Sequence, residues 1–276
     1  MTAINAYTTR KAFLDWITPT DTTPNTIEDS VIDAILESVS RFMDLETGRH
    51  FYPVIETRSF DIPDDYTLYI DDSLLEVVTL TNGDDTTIAS TEYNLLPPNY
   101  YPKYALKLKG STSVSWEADS NGDVEQVIDL AAVYGYHEDY SKLAWKSITT
   151  LSEDLDTSEV AFDLASASLI HEGHILRIGN EICIASSKAS NTVTVLKRAD
   201  NGSTAATHTT GDTVYVWQPM SEIEQSCKTI AHNVYRRFGG QAGQDENIVT
   251  ASGVVITPRD IPTLAAITMA RLKRVV

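Results

Sequence analysis

The most regular pattern of hydrophobic positions lies in the segment from Asn25 to His50. Its apolar residues recur at steps of three and four, which predicts an α-helix with one apolar face. Thr26 and Asp29 fit a capping box at its start, and Gly48 stands where a left-handed residue commonly ends a helix. A one-faced helix needs a sheet or other helices to cover it, so the rest of the chain is expected to supply that cover.

After this helix the pattern changes to short runs rich in Val, Ile, Thr and Tyr between turn residues, which is typical of antiparallel strands. The predicted strands are Val54–Ile62, Tyr66–Ile70, Leu74–Leu80, Tyr93–Leu96 and Tyr104–Leu108. Together they are expected to form a small meander or sandwich. A further run, Val124–Tyr136, predicts a strand that leaves this sheet at Gly135.

The second half of the chain begins with Ser141–Leu155, which predicts a linker or a short helix. The segment Glu159–Trp217 then predicts about five short strands with tight turns, at the spacing of a small barrel. Helical periodicity returns at Met220–Phe238 and ends at a glycine pair. The polar segment Gln241–Ser252 predicts a loop, and Thr257–Val276 predicts a proline-started tail helix.

Composition sets broad limits on the class of protein. With 276 residues and a mean hydropathy of −0.17, the chain is long enough for one or two globular domains. The sequence contains no apolar run of membrane-spanning length and no signal-peptide pattern, so we expect it to fold and work where it is made. Cys183 and Cys227 are far apart in sequence, and each is expected to be a small buried apolar residue.

The formal net charge is −18, with a pI near 4.6. A protein that grips nucleic acid by neutralising phosphates needs a basic face, and the chain as a whole does not carry one. The acidity indicates either simple solubility or a surface that DNA passes without sticking. The compact basic cluster of the sequence is Arg271, Lys273 and Arg274 near its end.

The sequence offers weak candidates for catalytic or metal chemistry. His171, Glu172 and His174 do not have the spacing of a zinc protease motif, and an exposed turn between strands explains them better. His208 adds a third histidine to the same region, which leaves an adventitious metal site as the alternative. The segment Asp119–Asp123 has its glycine in the wrong place for a calcium loop. We therefore predict no enzyme activity, no cofactor and no metal.

Tyrosines and prolines crowd together from the start of the fourth predicted strand to the start of the fifth. Tyr93, Tyr100, Tyr101 and Tyr104 lie within a few residues of three prolines. Such a loop is explained by internal packing or, alternatively, by a contact surface, since tyrosine supplies large rigid area at interfaces.

Four stretches of the chain resemble the head–tail connector (adaptor) proteins of tailed bacteriophages. They are the helix end and strand start at Thr47–Phe51, the hairpin Val77–Pro97, the strand end Val133–Tyr136 and the tail Val255–Val275. In that family the strand corresponding to Val133–Tyr136 passes almost directly to the next helix, whereas here a long segment intervenes. That segment separately resembles a small β module that recurs in phage virion proteins.

The resemblance implies an α+β fold: a helical connector core with a small antiparallel β-sheet, plus an inserted all-β module that is a small barrel or sandwich. The order of the predicted elements divides the chain into core residues 1–140, an inserted module with linker at 141–218, and a second core part with the tail helix at 219–276.

The same resemblance implies a structural virion protein in the neck, between head and tail, assembled in the host cytoplasm without contact to a membrane. Family members form rings, usually of twelve copies, that join the portal to the tail or to a stopper protein, with DNA passing through the centre. The alternative is a tail or baseplate module that recognises carbohydrate or another virion protein.

The tail helix is expected to start near Pro262 and to carry Leu264, Ile267 and Leu272 toward one side. It either folds back on its own core or reaches a neighbouring subunit or the portal. The predicted partner-contact residues are Leu264, Ile267, Arg271, Lys273, Arg274, Tyr100 and Tyr101.

Overall fold

A computed structural model describes residues 2–17, 27–238, 249–250, 253–254 and 261–274. Its four helices are α1 (Arg10–Ile17), α2 (Asp29–Thr47), α3 (Ser221–Phe238) and α4 (Thr263–Leu272). None of the helices in these described ranges combines the length and the apolar character that a membrane crossing requires.

The chain divides into two compact units. The helix–barrel unit comprises Met1–Tyr52, Trp145–Asp200 and Thr204–Val276, and the sheet unit comprises Pro53–Ala144 and Asn201–Ser203. Which of these segments fold without the others stays a prediction, and so do the boundaries 1–140, 141–218 and 219–276.

Helix α2 is the central element of the helical part, as its periodicity predicts. Its residues Ile32, Leu36 and Met43 are fully buried, and the helix packs against α3 and α4. It ends at Gly48, whose φ of 64° is left-handed and whose N–H donates to the carbonyl of Asp44. The start of the helix differs from the prediction: Glu28 is the N-cap and makes no side-chain capping bond. The proposed cap at Thr26 lies outside the described residues.

The sheet unit is built on five antiparallel strands in the order β1-β5-β2-β4-β3. They are β1 (Val54–Phe60), β2 (Thr67–Thr81), β3 (Tyr93–Leu96), β4 (Lys103–Leu108) and β5 (Ile128–Tyr134). The two strands expected at 66–70 and 74–80 are one strand of 15 residues, which bends at shifts in its pairing register. The expectation that the strand before Gly135 leaves the sheet is wrong, because β5 pairs on both sides, with β1 and β2.

The helix–barrel unit contains a second antiparallel sheet of six strands, in the order β6-β11-β8-β9-β10-β7. They are β6 (Trp145–Thr150), β7 (Ala161–Asp163), β8 (Ile175–Ile178), β9 (Glu181–Ala189), β10 (Thr192–Val195) and β11 (Thr213–Trp217).

The two edge strands of this second sheet meet. Leu151 bridges Leu164, and the N–H of Ala165 donates to the carbonyl of Thr150 at 2.9 Å. The sheet therefore closes into a small barrel, whose interior is filled by side chains such as Phe162 and Leu176. The barrel has six strands rather than about five, and β6 lies before the segment Glu159–Trp217 in which the module was predicted.

The predicted fold class, α+β with a helical connector core and a small antiparallel sheet, is wrong. The described chain is mostly β, with sheets of five and six strands and helices of 8, 19, 18 and 10 residues. Part of the error lies at Ser141–Leu155, expected to be a linker or short helix. Its residues form a short π-helical turn (Tyr140–Ala144) and then β6, which has β11 as its neighbour on one side. The residues of β6 do not alternate strictly between buried and exposed, so the pattern of the segment did not predict a strand.

Candidate assembly surfaces and ionisable clusters

The tail helix α4 lies against α2 and α3 within its own unit. The N–H of Arg274 donates to the carbonyl of Thr47 at 2.7 Å, and Arg49 Nε donates to the carbonyl of Leu272 at 2.8 Å. Of the two placements left open by the sequence, the structure therefore has the tail folded back on its own helices.

The buried side of α4 differs from the predicted one. Ala265, Thr268, Met269 and Leu272 are buried, whereas Leu264 is 68% exposed and Ile267 is 60% exposed. The prediction that Leu264, Ile267 and Leu272 share one covered side is therefore wrong. Since residues three apart are neighbours on a helix surface, Leu264 and Ile267 form one exposed apolar patch, which we call the α4 patch.

The basic residues at the end of α4 do not form one free cluster. Arg271 is ion-paired with Glu222 on α3, Arg274 is half-buried, and Lys273 is exposed. Two of the three basic residues predicted to meet a partner are thus ion-paired or partly covered within the unit.

The loop between β3 and β4 separates the two tyrosines predicted as contacts. Tyr100 is 72% exposed, whereas Tyr101 packs inward with its ring centroid 5.5 Å from that of Tyr140. The hydroxyl of Tyr140 in turn donates to Glu76 at 2.6 Å. Internal packing therefore holds for Tyr101, whereas the role of Tyr100 as a contact residue stays a prediction.

Lys103 holds this loop from inside, a role that sequence reasoning missed. The residue is 4% exposed, and its ammonium donates to the carbonyls of Pro97 and Pro98 at 2.6 and 3.2 Å. The same ammonium lies 4.2 Å from the centre of the Tyr101 ring. Burial lowers the pKa of Lys103. Among the described residues no carboxylate lies within ion-pair distance of this ammonium. Its charge is stabilised by the two carbonyls and by a cation–π contact with Tyr101.

The most strongly connected ionisable cluster is inside the barrel and centres on Glu181, which the sequence did not single out. Arg198 donates to both carboxylate oxygens of Glu181, at 2.7 Å each, and His208 Nε2 lies 2.9 Å from Oε2. The N–H groups of Ala199 and Ala206 add two bonds at 3.1 Å. Burial favours the neutral form of Glu181, but these hydrogen bonds outweigh it and lower its pKa from 4.5 to about 2.

This cluster stabilises the barrel and has no access for reactants. The Glu181 side chain is 1% exposed and its partner side chains are 6% exposed, so reactants have no access. Arg198 also donates to the carbonyls of Asp156, Glu159 and Ala206, which ties two loops to strand β9. With every lone pair of the carboxylate used, the cluster fixes the loop that follows β10.

The histidine motif forms a turn before β8, but this turn is half-buried and not exposed as predicted. Burial lowers the pKa of His174 to about 4, and its Nδ1 accepts a hydrogen bond from the N–H of His171 at 3.1 Å. Glu172 is ion-paired with Arg10. Within the described ranges, no three histidine, cysteine or acidic residues are arranged to hold a metal ion. Asp119 closes its own turn by accepting the N–H groups of Asn121 and Asp123 at 2.8 Å each.

No family model matches this chain, and no curated protein matches it. Among solved structures, one match is the Gp54 tailspike of Acinetobacter baumannii bacteriophage AP22, in complex with A. baumannii capsular saccharide. The identity is 20% and the TM-score 0.23, over 28% of this chain and 15% of the tailspike chain. A match at this level does not establish a shared fold.

Proposed function

We propose that this protein is a structural component of a tailed-phage virion that assembles into an oligomeric ring in the neck. In this role the ring joins the portal to the tail or to a stopper protein, and DNA passes through its channel. The proposal does not require a mainly helical core. It rests on the four stretches that resemble connector proteins and on the surfaces that the fold leaves uncovered.

The observation that carries the proposal is the exposed α4 patch. The helix uses Met269 and Leu272 to dock on α2 and α3, so Leu264 and Ile267 are not needed for that contact. Two large apolar side chains held next to each other on a docked helix suit a protein–protein contact. We assign that contact to a neighbouring copy of the same chain.

Ring formation needs two different surfaces on each subunit, because a head-to-tail contact that closes on itself joins unlike patches. The helix–barrel unit offers the α4 patch, and the sheet unit offers exposed aromatic residues such as Tyr69 and Tyr100, at 73% and 72% exposure. A net charge of −18 supports a channel that DNA traverses without adhering.

Light scattering on the purified protein, combined with low-resolution imaging, tests the proposal. The expected result is a particle many times heavier than the 30.4 kDa chain, with a central channel, alone or after mixing with portal protein. A chain that remains monomeric over a wide concentration range, with and without portal protein, would overturn the proposal.

A matched pair of variants tests the part assigned to α4. Replacing both Leu264 and Ile267 with serine should weaken ring formation and leave the melting temperature of the monomer nearly unchanged, since both side chains are exposed. Met269→Ala should lower the melting temperature of the monomer and leave ring formation nearly unchanged, because it removes a side chain that is 6% exposed. Rings that form equally well with both serines in place would refute the assigned contact.

A further inference from the structure

The β3–β4 hairpin of the sheet unit combines exposed tyrosine with an unusual charge. No aspartate or glutamate occurs between Glu92 and Glu117, although the chain as a whole carries a net charge of −18. The charged residues in that stretch are Lys103, Lys107 and Lys109. The hairpin is therefore a basic segment on an acidic protein.

Sheet register shows which side chains share the outer face. Tyr69 on β2 lies opposite Ala105 on β4, which lies opposite Leu96 on β3. The next row on the same face contains Lys107. Tyr69 and Lys107 are exposed, and the loop that carries Tyr100 begins directly after Leu96. We call Tyr69, Tyr100 and Lys107 the hairpin surface.

The loop that presents Tyr100 is held in place before any partner arrives. The Lys103 ammonium donates to the carbonyls of Pro97 and Pro98, and the Tyr101 ring contacts both that ammonium and Tyr140. Because burying an ammonium without hydrogen bonds is costly, Lys103 is expected to keep its bonds to these carbonyls and so hold the loop in place. The result is a fixed loop with one large aromatic side chain pointing outward, and a contact residue that is already ordered binds with a smaller entropy loss.

We infer that the hairpin surface docks on a second copy of this chain, with Tyr100 as its aromatic anchor and Lys107 meeting acidic residues of that copy. The choice of partner follows from charge, since every other copy offers acidic surface while the hairpin carries lysine alone among charged residues. The inference rests on the proposed ring assembly and names one of the two unlike surfaces that such a ring requires.

The experiment measures the oligomeric state of Tyr100→Ser and Lys107→Glu by native mass spectrometry and light scattering, against the wild type. Each substitution should raise the dissociation constant of the subunit contact at least about tenfold. Val124→Ser is the control, because Val124 is a 50% exposed apolar residue of the same unit outside the hairpin. It should assemble like the wild type. Melting curves show whether each variant is folded, and the exposure of Tyr100 predicts that Tyr100→Ser is.

The outcomes separate this inference from the proposed function. A wild type that assembles together with a Tyr100→Ser variant that assembles equally well would overturn the hairpin contact and leave the ring intact. A wild type that never assembles would overturn both. If the hairpin variants assemble normally but lose binding to duplex DNA or to portal protein, the hairpin belongs to that partner and the second-copy assignment is wrong.

Discussion

The substitution Glu181→Gln tests whether the buried cluster fastens the barrel. Glutamine keeps the shape of the side chain but removes its negative charge and turns one acceptor into a donor. Arg198 and His208, whose side chains are 6% exposed, then face an amide instead of a carboxylate. Removing one partner of a buried ion pair costs about 3–5 kcal/mol, because the remaining charge is left uncompensated.

The pKa of Glu181 gives a second route to the size of the effect. Its drop from 4.5 to about 2 corresponds to about 3 kcal/mol of stability at neutral pH. The folded pKa lies below the unfolded one, so this contribution is complete above pH 4.5 and is lost as the pH falls toward 2. The difference between wild type and Glu181→Gln in free energy of unfolding should therefore shrink over that range.

Chemical denaturation at several pH values measures the stability difference, and amide hydrogen exchange along β9 assigns it to the barrel. The substitution Arg198→Met and the double variant complete a cycle. The loss in the double variant should be smaller than the sum of the two single losses, because each single variant already breaks the pair. A Glu181→Gln protein within about 1 kcal/mol of the wild type at pH 7 would refute the reasoning.

Four further predictions follow from particular features of the structure. Burial raises the pKa of Asp33 from 3.8 to about 6, because its effect is larger than the opposite effect of Arg10. The wild type should therefore lose stability as the pH rises from 3.8 to 6. Urea denaturation over this pH range should show that this loss is absent in Asp33→Asn. Gly202→Ala should destabilise the protein far more than Gly211→Ala, although both glycines have positive φ. A Cβ at Gly202 would lie 2.0 Å from the carbonyl oxygen of a neighbouring strand, whereas nothing lies within 4 Å of one at Gly211. Equal melting temperatures of the two variants would contradict this. Duplex DNA should not bind near physiological salt, given the net charge of −18, and tight, salt-sensitive retardation in a gel would contradict that. Replacing Ser147–Val216 with a short Gly/Ser linker should leave a chain that unfolds cooperatively, because the flanking residues on β6 and β11 are paired neighbours. Loss of cooperative unfolding would show that the barrel is part of the core.

Local features were determined by the sequence. The three- and four-residue steps placed α2 and α3, and Gly48 marked the end of α2 because its left-handed conformation is costly for other residues. The bounds of Tyr93–Leu96 were also predicted, since that strand lies between clear turn signals. These features depend on neighbours along the chain, and a sequence displays such neighbours directly.

The candidate surfaces were predicted only in part. The tyrosine loop was interpreted as either packing or contact, but its residue pattern did not indicate that Tyr101 turns inward and Tyr100 outward. The α4 segment is apolar on several sides, so its periodicity did not determine which side is buried. Contacts with α2 and α3 made that choice in favour of Met269 and Leu272, and left Leu264 exposed.

Tertiary structure alone decided which distant segments meet. The central position of β5, the bridge between Leu151 and Leu164 that closes the barrel, and the strand β6 in a segment without clear alternation all depend on pairing with distant residues. The same holds for Glu181, which looks like an ordinary turn carboxylate until Arg198 and His208 surround it. Helix periodicity, turns and overall charge can thus be determined from sequence, because each is local or additive. Strand order, buried ion pairs and the exposed side of a helix cannot, because each is fixed by residues that only the fold brings together.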